Sequence, residues 1–120
     1  MNREHKTLAA GAWRRLSFLE QMANIGSEVE RAINWRNKKN PDYAQRAFQR
    51  ALELLDLTIE NLTVDSRLKE MTRLREVLLD FFLGENKFCS TESCLQKYFL
   101  QFAYACRKNK QANTEKEKNL

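Results

Sequence analysis

Apolar residues recur along this chain at spacings of three and four in four separate stretches. Because an α-helix turns once in about 3.6 residues, each stretch predicts a helix with one apolar side. In the first stretch this side consists of Phe18, Met22, Ile25, Val29, Ala32 and Ile33. The pattern predicts helices over residues 18–37, 41–62, 65 or 66 to 83, and 91 to about 108. Short connections between them favour an all-α fold, a single four-helix up-down bundle.

Local capping chemistry supports these boundaries. Ser17 and Glu20 have the spacing of a capping box, in which each side chain binds the backbone amide of the other residue. The segment 40–42, Asn-Pro-Asp, supplies a cap and a first-turn proline for the second helix. Gly84 is predicted to end the third helix in the left-handed conformation, and Ser90 to cap the fourth.

The composition fits one compact helical domain. The 120 residues are 42% hydrophobic and 31% charged, with 3 glycines and 1 proline. We expect a bundle over residues 17–106, a basic arm or short helix over 1–16, and a disordered basic tail over 107–120. No segment reaches the roughly 20 apolar residues of a membrane span, so we expect no membrane contact. Three cysteines without paired spacing predict free thiols and a cytoplasmic location.

The net charge of +5 is concentrated at the ends of the chain. Residues 1–16 carry 4 basic and 1 acidic groups, residues 107–120 carry 5 and 2, and the body between them carries 12 and 13. Basic ends either keep the protein soluble or bind phosphate backbones. Aromatic residues lie among some of these cations, an arrangement that can stack bases. The candidate nucleic-acid-binding residues are Trp13, Arg14, Arg15, Arg31, Trp35, Arg36, Lys38, Lys39, Arg107, Lys108 and Lys110.

Several apolar residues fall away from the predicted core sides. Leu57 lies nearly opposite Leu55 on the second helix, and Leu100 and Tyr104 lie nearly opposite Phe102 on the fourth. Isolated exposed leucines are common in monomers, but together with Leu54 and Trp35 these residues could form a partner surface. The interpretation that we favour is a homo-oligomer.

Polar residues on or beside the apolar sides of the helices predict ion pairs that stabilise the fold more than they predict catalytic groups. Arg75 lies next to the apolar side of the third helix, and Glu28 or Asp56 is expected to pair with it in a buried ion pair that fixes helix register. Asn24, Glu28, Arg31 and Trp35 share one side of the first helix, as a polar seam or a solvated face.

The residue types argue against an enzyme. The single histidine, His5, precedes the helices, so hydrolytic triads lack their base and no metal site has its usual ligands. There is no glycine-rich phosphate loop. We therefore expect no catalytic residues, no metal and no cofactor.

The segments FLEQMANIGSEVERAINW, ALELLDLTIEN, RLKEMTRLREVLLDFF and QKYFLQFAYA resemble a widespread group of small prokaryotic four-helix-bundle proteins, a resemblance that implies a fold but no activity. In size, basic ends and layout, the chain is also similar to the accessory variability proteins of diversity-generating retroelements. Those are basic bundles that form rings and bind a reverse transcriptase and its template RNA. This second resemblance implies a non-catalytic oligomeric adaptor with RNA, DNA or a reverse transcriptase as partner. The alternative is a protein-interaction or scaffold module with no nucleic-acid role.

Overall fold

The computed structural model describes residues 10–118, with side chains for residues 10–112. It contains a short helix α1 over residues 10–14 and four long helices: α2 Phe18–Asn37, α3 Pro41–Glu60, α4 Asp65–Phe82 and α5 Glu92–Lys118. The described part of the chain has no strand, which confirms the all-α prediction. The described residues contain five helices, not the four of the predicted bundle, and the additional one, at residues 10–14, lies where the sequence left an arm or a short helix open. Within the described residues, no helix has the length and apolar character needed to cross a bilayer.

The caps that open α2 and α3 form as the sequence predicts. The amide of Glu20 donates to Ser17 Oγ at 3.1 Å, and the amide of Ser17 donates to Glu20 Oε1 at 3.2 Å. At the start of α3 the amide of Tyr43 donates to Asn40 Oδ1 at 3.1 Å. Lys39, in the turn before it, has a φ of 62°. This left-handed residue reverses the chain between α2 and α3.

The segment between α4 and α5 differs from its prediction at both ends. Gly84 does not adopt a left-handed φ. Its lack of a side chain matters for space, since a Cβ there would lie 3.1 Å from Asp80 Cα. Ser90 does not cap α5, because the helix begins at Glu92 and Thr91 lies between them. The cap is Thr91, whose Oγ1 accepts from the amide of Cys94 at 3.0 Å.

The helices enclose one hydrophobic core. Helix α2 packs against both α3 and α5, and α4 packs against α3. Ring contacts join the helices: Phe18 at the start of α2 meets Phe102 of α5 at 6.2 Å between centroids, and Phe48 of α3 meets Phe82 at the end of α4 at 4.7 Å. The largest completely buried core side chains are Met22, Ile25, Val29, Ile33, Leu55, Met71 and Leu78. These follow the apolar spacing of the sequence, so the core lies where the pattern places it.

The N-terminal segment is part of this core from residue 10 onward. Trp13 is only 6% exposed, and its Nε1 donates to Thr58 Oγ1 at 2.9 Å. The side chain of Gln21 in turn donates to the backbone oxygen of Trp13 at 2.9 Å. Residues 10–16 are therefore held against α2 and α3, whereas the remainder of the predicted arm, 1–9, lies outside the described residues.

Helix α5 continues to Lys118, ten residues beyond the predicted end at Lys108, where a disordered tail was expected. The added segment has no glycine or proline to end a helix, and it is rich in Lys, Glu, Gln and Ala. These residues have high helix propensity, and adding turns to an existing helix avoids the cost of a new nucleus. Its residues 107–112 are exposed.

Candidate nucleic-acid interface

Two aromatic rings meet where α2 ends and α3 begins. Trp35 lies in the last turn of α2 and Tyr43 in the first turn of α3, and the tight turn at Lys39 brings them together. Their ring centroids are 4.8 Å apart at an interplanar angle of 81°. Tyr43 remains 45% exposed. The pair is therefore an accessible aromatic surface, not part of the core.

Cations surround these rings. Lys38 Nζ lies 5.1 Å from the centroid of Trp35, and Arg46 Cζ lies 5.5 Å from that of Tyr43, both within the range of cation–π attraction. Arg31 and Arg50 extend the cluster along α2 and α3. We call the group of Arg31, Trp35, Lys38, Tyr43, Arg46 and Arg50 the α2–α3 patch.

A small cleft of about 180 Å³ runs through the patch, with Glu28 on its wall. Glu28 Oε1 lies 3.5 Å from an Arg31 nitrogen and 3.9 Å from an Arg50 nitrogen. Its other oxygen is buried with no hydrogen-bond donor. The patch has four cations and this one carboxylate, and if Asp42, one turn before Arg46, is included the net charge is still +2. Of the predicted polar row, Glu28, Arg31 and Trp35 thus form one wall of a mainly basic cleft, whereas Asn24 is not among its lining residues.

Two further candidates from this end of α2 lie outside the patch. Arg36 faces α4, where its guanidinium lies 4.9 Å from the Phe81 centroid and donates to the Phe81 backbone oxygen at 3.2 Å. Lys39 occupies the left-handed position of the turn. Arg36 therefore has a structural role in joining α2 to α4.

The remaining basic candidates lie at the other end of the molecule. Arg14 and Arg15 are exposed just before α2. The pKa of Glu20 is lowered first by its hydrogen bonds with Ser17 and, after these, by the charge of Lys110, which places Lys110 at the same end. Arg107 and Lys108 are exposed on α5. The start of α2 and Trp35 are separated by about 27 Å of helix. Trp13 is buried, as described above, so it offers no ring face to a base. The predicted residues therefore do not form one site.

The predicted partner residues also separate. Leu100 is 58% exposed and Tyr104 is 62% exposed on α5. Leu54 and Leu57, on α3, are partly buried and pack against the core. Of these four predicted partner residues, Leu100 and Tyr104 are therefore the exposed ones.

The structure pairs Arg75 with Asp56, Nε to Oδ1 at 2.8 Å, and leaves Glu28 with Arg31 and Arg50. Both partners are partly exposed, so the expected buried pair is a surface pair between α3 and α4. Such pairs contribute about 0–1 kcal/mol. The described residues contain no cluster of three or more His, Cys, Asp or Glu side chains suited to a metal ion.

Sequence reasoning missed Tyr43, Arg46 and Arg50. Their spacing of three and four along α3 places them on one side of that helix, but they fall outside the apolar pattern on which the prediction depended. The apolar pattern does not show which side of α3 lies beside the patch residues of α2.

No family model, curated protein or solved structure matches this chain. Both resemblances drawn from the sequence therefore stay predictions.

Proposed function

We propose that this protein is a non-catalytic helical-bundle adaptor that binds single-stranded RNA or DNA through the α2–α3 patch, without sequence preference. The observation that carries the proposal is the pair of contacting rings, Trp35 and Tyr43, with cations against both of them. Bases stack on aromatic faces of any kind, and arginine and lysine bind the phosphates on either side.

We also propose that the four long helices form an up-down bundle that holds this patch rigid. Three contacts support alternating directions: the end of α2 meets the start of α3 at Trp35 and Tyr43, the later part of α3 meets the middle of α4 at Asp56 and Arg75, and the start of α2 meets α5 at Phe102.

Binding through four cations has a measurable signature. For single strands the logarithm of affinity falls with the logarithm of salt concentration, with a slope of about −0.7 for each neutralised phosphate. If all four cations of the patch each neutralise one phosphate, the slope is about −3. Each base stacked on Trp35 or Tyr43 would add about 1–3 kcal/mol.

The test is fluorescence anisotropy of a labelled single-stranded oligonucleotide over a potassium chloride series. Arg46→Gln removes a cation of the patch, and we expect weaker binding and a slope that is smaller by about 0.7. Arg73→Gln is a matched control, because Arg73 is also an exposed arginine over a ring, at 5.2 Å from the Phe88 centroid, but it lies outside the patch. Equal effects of the two variants, or no salt-dependent binding by the native protein, would contradict the proposal.

We further propose that the adaptor has a protein partner, a nucleic-acid enzyme such as the reverse transcriptase of a retroelement. The exposed basic residues at the other end of the molecule, Arg14, Arg15, Arg107 and Lys108, would extend the contact along a longer strand. We also propose a cytoplasmic location, which the three free cysteines support.

The alternative function is a protein-interaction module with no nucleic-acid role. The exposure of Leu100 and Tyr104 beside a surface groove favours it. If the protein did not bind an oligonucleotide even at low salt, where phosphate contacts are strongest, this alternative would be favoured.

A further inference from the structure

A groove of about 690 Å³ runs along the surface between α2 and α5, on the side of α2 away from the patch. Its floor is apolar, with Val29, Leu95 and Phe99 almost completely buried. Small residues line the α2 side, among them Ala23 and Ser27. The α2 wall is therefore low and leaves room for a side chain from outside.

The α5 side of the groove has the opposite character. Leu100, 58% exposed, lines the groove, and Tyr104, 62% exposed, follows one turn later. Lys97 lies at the same rim, and Glu30 lies at the α2 rim. The α5 wall thus carries one exposed leucine and a cation, and the α2 wall carries small residues and a carboxylate.

Contacts within the chain show which residues of α2 and α5 are level with each other, that is, which lie at the same position along the length of the groove. Glu30 Oε1 accepts from the side chain of Gln96 at 3.2 Å, so Glu30 and Lys97 are level. Gly26 is level with Phe99, because a Cβ there would lie 2.7 Å from Phe99 Cβ. Leu100 is accordingly level with the small residues on α2.

We propose that two copies of the chain associate through this groove about a two-fold axis that runs along it. Rotation about that axis places α5 of one copy over α2 of the other. Each residue keeps its position along the groove, so residues that are level within one chain also face each other between the two chains. Leu100 then enters the space beside Ala23 and Ser27 of the second copy, and Lys97 meets the carboxylate of Glu30. A closed dimer requires a surface that complements itself. Here an exposed leucine on one wall lies at the same position along the groove as small residues on the other wall, and a lysine at the same position as a glutamate. The occupant is a second copy because each wall fits the opposite wall of the same groove.

The first test is the mass in solution by sedimentation equilibrium. The native protein should reach twice its chain mass of 14.2 kDa. We expect Leu100→Glu to weaken dimerisation at least tenfold. Leu83→Glu is the matched control, since Leu83 is 63% exposed at the end of α4, outside the groove, and it should leave the dimer unchanged. Native protein that stays monomeric at about 100 μM, a concentration at which a Kd near 10 μM would give mostly dimer, overturns the proposal.

The second test identifies the paired surfaces. Glu30→Lys and Lys97→Glu each place like charges across the proposed interface, so each variant alone should dimerise less than the native protein. In an equal mixture, a dimer of one Glu30→Lys chain and one Lys97→Glu chain carries opposite charges at both contacts, and dimers should return. A mixture no more dimeric than its components contradicts the two-fold arrangement. Circular dichroism of each variant checks that the helices remain folded. The proposal is independent of nucleic-acid binding, because the experiment contains none.

Discussion

At Gly26, α2 lies directly against Phe99 of α5, and replacement of this glycine by alanine tests the packing beneath the groove. A Cβ at this position would lie 2.7 Å from Phe99 Cβ and 3.0 Å from Phe99 Cγ. Carbon atoms in contact are normally about 3.5–4.0 Å apart. Rotation of the Phe99 side chain leaves its Cβ in place, so the backbone of α5 has to move.

The magnitude follows from two opposing terms. Alanine is favoured over glycine in a helix interior by about 1 kcal/mol. An additional methyl group in a packed site costs about 1–3 kcal/mol. Because the new Cβ would contact Phe99 Cβ, which cannot swing away, we expect a cost near the upper end of this range. We expect Gly26→Ala to lower the free energy of unfolding by about 2 kcal/mol. For a domain of this size that corresponds to a melting temperature about 8 °C lower.

The assay is urea and thermal unfolding followed by circular dichroism. Gly11→Ala is the control, because Gly11 is helical and exposed and a Cβ there meets nothing within 4 Å. The control should be as stable as the native protein or more stable, by up to about 1 kcal/mol. Measurement in the Leu100→Glu background separates packing within the chain from dimerisation. If Gly26→Ala gained stability as Gly11→Ala does, α5 would not rest on Gly26.

Three further changes test single contacts. Trp13→Phe removes the bond from Nε1 to Thr58 and should lower the free energy of unfolding in urea by about 1–2 kcal/mol; an unchanged value would mean that the bond does not form. Glu28→Gln removes the carboxylate that competes with phosphate for the cations of the patch. Anisotropy should therefore show an affinity for the oligonucleotide that is higher by up to about fivefold. Weaker binding would mean that Glu28 positions the arginines. Hydrogen bonds with Ser17 lower the pKa of Glu20 below 4.5, so its contribution to stability is present above that pH and is lost as the pH falls through the folded-state pKa. Glu20→Gln should therefore reduce the loss of melting temperature in acid, and an identical acid profile would exclude this contribution.

The elements that the sequence predicted well are those whose causes are local. The start of α2 depends on Ser17 and Glu20, three residues apart, and the start of α3 depends on Asn40 and its neighbours. Core positions such as Ile25 and Leu55 follow from helical spacing alone. Neither requires knowledge of which helices are neighbours.

Trp13 was misplaced because its role depends on a distant residue. The arginines that follow it made a binding role plausible, but its hydrogen-bond partner, Thr58, is 45 positions away in sequence. The end of α5 was misplaced for another reason. The prediction required an apolar residue to hold the segment, whereas a segment that continues an existing helix needs only favourable propensity.

The α2–α3 patch could have been predicted from the turn. A tight reversal between antiparallel helices brings together residues equally distant from its centre. Trp35 and Tyr43 lie four positions on either side of Lys39, and Glu28 and Arg50 lie eleven positions on either side. The capping signal at Asn40 locates that centre from sequence alone, so the facing pairs follow from it. Their side-chain directions and the resulting cleft still require the structure.

Helix α2 connects the two proposals without making one depend on the other. At 100° per residue, the patch residues and the groove residues of α2 lie about 120° apart around its axis. Dimerisation through the groove therefore leaves the patch of each copy exposed, and a dimer would present two patches. A strand long enough to reach both would bind the second at the high effective concentration set by the first, without any new contact. Loss of the dimer in Leu100→Glu would then weaken binding of long strands while short ones bind as before. The same affinity for both lengths would mean that each patch binds alone.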